Sequence, residues 1–157
     1  MIEVTVASLA AHPFLRGVRP DLLARLVPAA VAVRMPARQR VFEEGGYAAK
    51  FWLIRSGAVA LGLDMPGRGL VVVATLGRGD VMGWSWLFPP YRWSYGAVTT
   101  EPVEAFEFDG RAVRAAFDED PCLGYEMTRR FVEVVAGRLQ ATRFRLLRTA
   151  GPDPQEP

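Results

Sequence analysis

Apolar residues are spaced in two ways along this chain, and the change of spacing divides it into three stretches. Up to about Pro28 the spacing is helical: Val4 to Ala11 is small and apolar, and Arg19-Pro20-Asp21 opens a run in which Leu22, Leu23 and Leu26 share one face. From Ala30 to Asp109 it becomes short runs rich in Val, Phe, Trp and Leu, each bounded by Gly, Pro or charge, as in an all-β sandwich or barrel. Strands are predicted at Ala30–Met35, Arg40–Glu43, Phe51–Arg55, Ala58–Asp64, Leu70–Leu76, Tyr95–Thr99 and Val103–Phe108. Turn residues at Gly45-Gly46, Ser56-Gly57, Pro66-Gly67 and Gly77-Arg78-Gly79 supply the reversals, and connections this short favour an antiparallel jelly roll over alternating βαβ units.

After Asp109 the helical period returns. A short helix is predicted over Arg111–Phe117 and a long one over Pro121–Leu147, with Asp118-Glu119-Asp120-Pro121 as its acidic, proline-led start. Leu123, Met127, Phe131, Val134, Val135, Leu139, Thr142 and Leu146 form its apolar stripe, and six arginines decorate it. One side of the stripe has to cover the roll. Met127, Phe131, Val134, Val135 and Leu139 satisfy either a cap on a monomer or a homodimer seam, and the dimer is the expectation. The expected layout is one mainly β domain over 1–148, with a helical cap (1–28), a β-roll (30–109) and C-terminal helices (110–148); 149–157, with three prolines, reads as a disordered tail.

At 157 residues the chain has the length of one domain. No apolar run approaches the roughly 20 residues of a membrane span, and no basic-then-apolar leader opens the chain, so a soluble cytoplasmic protein without a membrane partner is expected. Cys122 is the single cysteine and His12 the single histidine, which leaves no His/Cys metal set and no Ser-His-Asp arrangement; an enzyme is not expected. A net charge of +2 does not by itself call for nucleic acid, and Thr149 to Pro157 is too short for a recognition helix, so direct sequence-specific DNA binding is not expected.

The stretch Gly79 to Gly96 concentrates the unusual chemistry. It holds three of the four tryptophans, and six of the twelve residues from Trp84 to Tyr95 are aromatic, around Pro89-Pro90. So many rings in one short segment shape a pocket or a contact surface, or else complete a core.

Local sequences here are similar to the cyclic nucleotide-binding domain of the CRP/FNR superfamily. Phe14-Leu15 with Leu22 to Leu26 resembles the family's opening helix, and Val41-Phe42-Glu43-Glu44-Gly45 its second-strand turn. Phe51-Trp52-Leu53-Ile54-Arg55-Ser56-Gly57-Ala58-Val59 is similar to its strand-turn-strand, and Leu76-Gly77-Arg78-Gly79-Asp80-Val81-Met82-Gly83 to the approach to its phosphate-binding cassette. The resemblance covers about residues 9 to 148, and the Gly-Trp-Ser-Trp-Leu-Phe-Pro-Pro-Tyr-Arg-Trp variant resembles a subgroup of stand-alone bacterial domains. It implies a double-stranded jelly roll (a cupin-like β-roll of eight strands) and a regulatory role in signalling. It also implies a site for a cyclic nucleotide or another small anion at Gly79, Met82, Gly83, Trp84, Ser85, Trp86, Arg92 and Ser94, with no other cofactor. A glycine-led turn into a short helix points free N–H groups at one spot, which suits a phosphate.

Two side chains depart from the pattern the resemblance implies. Trp84 stands where an acidic residue would take the ribose hydroxyl, and Ser94 where an arginine would pair with the phosphate. An indole has one donor and no acceptor and cannot replace the acid. Strand alternation counted back from Gly96 puts Arg92, Ser94 and Gly96 on the pocket side and Tyr91, Trp93 and Tyr95 on the other, leaving Arg92 as either an anion anchor or a rim arginine. Two functions stay open: a non-enzymatic sensor of a small ligand, or a ligand-free protein-interaction module in which Trp84, Trp86 and Phe88 plug the pocket or form a hot spot.

Overall fold

A computed structural model describes residues 3–150. Two short helices, α1 (Val6–Ala10) and α2 (Pro20–Leu26), precede eight strands: β1 (Ala30–Met35), β2 (Arg40–Phe42), β3 (Lys50–Ser56), β4 (Val59–Met65), β5 (Gly69–Leu76), β6 (Val81–Met82), β7 (Gly96–Thr99) and β8 (Val103–Asp109). Helices α3 (Gly110–Glu119) and α4 (Pro121–Ala150) follow. The strands form two antiparallel four-stranded sheets, ordered β1-β8-β3-β6 and β2-β7-β4-β5, the jelly-roll arrangement with flanking helices.

The first sheet is covered on both faces, which explains why β3 runs Phe-Trp-Leu-Ile without alternation and buries all four. Phe51 points outward to Phe131 of α4, ring centroids 5.3 Å apart and nearly perpendicular, whereas Trp52 turns toward Trp93, 6.1 Å away. Stripe residues Leu123, Met127 and Phe131 of α4 are almost wholly inaccessible. Met127 and Phe131, expected at a dimer seam, therefore belong to the core of the single chain, because the roll's own aromatic surface takes them first.

Helix α4 runs to Ala150, three residues past the sequence-based end, and the expected disorder of the tail falls, from Gly151 onward, outside the described residues. No helix among the described residues is long and apolar enough to cross a membrane.

The N-terminal cap is pinned by His12. Its Nδ1 accepts from the Phe14 N–H at 3.2 Å, so Nε2 carries the proton and donates to the Ile54 carbonyl at 2.8 Å. Burial pushes its pKa below the ordinary 6.5, outweighing the bond to Ile54 and the attraction of Asp80, while Arg55 pushes the same way as burial. The sign follows by linkage: as pH falls below about 6.5, the unfolded chain takes up a proton that the folded chain refuses, so stability drops. Chemical denaturation between pH 7.5 and 5.5 should show this loss, at most about 1.4 kcal/mol per pH unit from this group, and His12→Gln should flatten it. An unchanged slope in the variant would assign the dependence elsewhere.

Candidate functional site

The cassette begins where β6 ends. Gly83 takes φ +95°, a left-handed turn that sends the chain into a 3-10 turn at Ser85–Leu87. That turn plants Trp86 in the core, stacked on Phe51 at 4.5 Å and set edge-on against Phe131 at 5.2 Å, while its carbonyl accepts from Arg114. The indole Nε1 of Trp86 has no hydrogen-bond partner among the described residues. Its job is packing, and it ties the cassette to α4.

The recess in front of Gly83 is lined by Phe42, Leu61, Gly83, Trp84, Ser85, Trp93, Ser94, Tyr95 and Arg138, and its free volume is only about 10 Å³. Small-molecule sites run to about 300–1,000 Å³. What fills the space is Trp93. Its ring stacks on Phe42 with centroids 3.9 Å apart and planes 14° apart, and its six-membered edge lies 3.0 Å from where a Cβ on Gly83 would sit. Its backbone is fixed as well: the Trp93 N–H donates to Gly46 at 2.9 Å, and its carbonyl accepts from the Gly45 N–H at 2.8 Å. The same indole lines an outer cleft of about 650 Å³ with Phe42, Trp52, Lys50 and Glu107, so Trp93 is the wall between that cleft and the recess.

This reverses the alternation expected from sequence. Trp93 is 6% exposed and faces the recess, whereas Arg92 is exposed, holds a bridge to Tyr47 and does not line it. Ser94 and Tyr95 form a bend rather than strand, so parity counted back from Gly96 is lost. Of the eight expected site residues, Gly83, Trp84, Ser85 and Ser94 come together at the recess. Met82 and Trp86 are core, and Gly79 packs on Pro13 and lines a groove on another face. Of the three residues expected to plug the pocket, Trp84 lines the recess, Trp86 lies in the core and Phe88 is exposed; the ring that fills the recess is Trp93.

Sequence reasoning also missed Arg138. It reaches from α4 into the recess and donates through Nη2 to the Val81 carbonyl, with no carboxylate partner among the described residues. Burial lowers its pKa, against the pull of Asp80 and Tyr95, yet a guanidinium stays charged at neutral pH. The repeated arginines of α4 gave no signal that Arg138 turns inward, as Arg130 does toward the Phe14 carbonyl. No cluster of metal-ligating residues occurs among the described residues.

The comparisons agree with this architecture. The model of the family described as "Cyclic nucleotide-binding domain" matches residues 32–120. A CRP-like cAMP-activated global transcriptional regulator of Mycobacterium tuberculosis is 28% identical over 134 residues, which are 85% of this chain and 58% of that protein. This chain thus spans under two thirds of that relative. In fold it is similar to a cyclic nucleotide-binding domain from Methylobacillus flagellatus, with TM-score 0.80 and 18% identity over 95% of this chain and 86% of the other. It is also similar to the Thermus thermophilus catabolite activator protein, with TM-score 0.68 and 22% identity over 88% of this chain and 63% of the other. With more than half its length matched by the family model, the chain belongs to the cyclic nucleotide-binding domain family, among the homologues of the CRP/FNR regulators.

Proposed function

We propose that the chain is a non-enzymatic, cytoplasmic regulatory domain whose cassette is closed by its own Trp93, and that it acts as an interaction module through α4. One observation carries this: the indole occupies the place in front of Gly83 where an anion would enter, leaving about 10 Å³. In this reading residues 1–148 act as one unit, and the cassette is coupled to α4 through Trp86 on Phe131 and Arg138 on Val81. Calorimetry with cyclic AMP and cyclic GMP should give no saturable binding at the recess up to about 1 mM, the weak end of the affinity scale, and so no binding that Arg138→Gln removes. Micromolar binding that Arg138→Gln abolishes would sink it.

A second reading is supported by Arg138, a half-buried cation at the recess that donates there to the Val81 carbonyl. In that reading the domain senses a small anion that displaces Trp93 and binds Arg138; Arg138→Gln then abolishes the binding of cyclic AMP and cyclic GMP.

The homodimer is proposed through a face shifted around α4 from the one sequence suggested, keeping Val135 and Leu139 but not Met127 or Phe131. Tyr125, Val132, Leu139 and Leu146 are exposed and recur every seven residues, with half-buried Val135 between, which is the spacing of a two-helix seam. Leu139→Glu should convert a sedimenting dimer to monomer without loss of helicity; a wild-type monomer at high concentration refutes the seam.

A further inference from the structure

A groove of about 340 Å³ lies between the N-terminal cap and the approach to the cassette, lined by His12, Arg16, Arg55, Arg78 and Glu104 among others. Arg16, Arg55 and Arg78 have no carboxylate within salt-bridge distance among the described residues. The groove's own carboxylate is taken: Glu104 pairs outward with Arg34 at 3.0 Å. Arg55 is held in place, its guanidinium carbon 4.6 Å over the Phe106 ring. His12 is neutral and already satisfied at both nitrogens, so it adds no competing acceptor. The site therefore offers guanidinium donors, one of them pre-set by stacking, and the carboxylate in its lining, Glu104, is already paired with Arg34. Guanidiniums fork onto phosphate oxygens in pairs of parallel hydrogen bonds, and the volume lies within the range of small-ligand sites.

We propose that this groove binds a small phosphate-bearing molecule, at a site separate from the recess behind Trp93. It is wired to the cassette approach through one carbonyl: Ile54 O accepts both from His12 Nε2 at 2.8 Å and from the Gly79 N–H at 3.0 Å, and the Ile54 N–H donates to Asp80 O at 2.9 Å. A ligand bridging Arg16 or Arg55 to Arg78 stiffens the turn that leads into β6. The site does not depend on whether the recess ever opens.

Pyrophosphate is the probe, titrated by calorimetry into the full chain and compared with sodium chloride at matched ionic strength. The expected result is saturable binding with a Kd below about 1 mM, weakened about tenfold or more in Arg78→Gln and in Arg55→Gln by loss of a charge-assisted pair. Arg68→Gln, in the β4–β5 turn, should bind as wild type. Because Arg78 is exposed, its variant folds even if replacing Arg55 disturbs the Phe106 contact. Heats matched by sodium chloride, or unchanged affinity in both groove variants, overturn the proposal. Loss of binding in Arg138→Gln alone also overturns it, since that places the anion at the recess.

Discussion

Trp93→Ala is expected to lower the unfolding free energy by about 3–5 kcal/mol, the range for emptying a large aromatic from a core. The ring is 6% exposed, stacks on Phe42 at 3.9 Å, neighbours Trp52 at 6.1 Å and covers Gly83. Its removal should join the recess to the 650 Å³ outer cleft, because Trp93 lines both. Urea unfolding measures the loss, with the midpoint moving and the slope conserved. Arg92→Ala, at an exposed position that keeps its backbone bridge to Tyr47, should cost less than about 0.5 kcal/mol. Equal costs for the two would place the indole outside the recess.

Gly57→Ala should be as damaging, for a backbone reason. Gly57 turns β3 into β4 with φ +92°, and a Cβ there would lie 2.1 Å from the Pro102 carbonyl oxygen and 2.9 Å from the Val103 Cα. The turn at 100–102 cannot retreat cheaply, because the Thr100 N–H donates to Ala58 O at 2.9 Å. Left-handed backbone costs a non-glycine residue about 1–2 kcal/mol, and overpacking adds about 1–3 kcal/mol. Gly67 separates the two terms: it has φ +76° but nothing within 4 Å, so Gly67→Ala should show the backbone term alone. If both substitutions cost the same, the close approach of the two turns is wrong.

Most strands were legible because each is a short apolar run closed by Gly, Pro or charge, even where, as in β3, both faces are buried. β1 was predicted at Ala30–Met35 and forms there, since Ala30 and Met35 end a run bounded by Pro36 and the cap. β6 was missed: Val81–Met82 is two residues long and carries no period, and only its pairing with Trp52 and Leu53 makes it a strand. The frame of the cassette was legible from glycine spacing, but its filling was not. Whether Arg92 or Trp93 enters the recess depends on the bend at Ser94 and Tyr95, which alternation cannot express. The stripe on α4 showed that an apolar face exists, yet not that Met127 and Phe131 go to the roll while Leu139 stays exposed, because one stripe serves both surfaces. Arg138 was hidden among arginines that look alike in sequence and differ only in which way α4 turns them.

Closure of the cassette by Trp93 against a cyclic phosphate is tested most directly by a crystal structure of the protein grown with millimolar cyclic AMP. Density for the Trp93 indole stacked on Phe42 over Gly83, with no nucleotide in front of it, is expected. A nucleotide phosphate seated on the Gly83 turn and Arg138, with the indole displaced, would contradict closure.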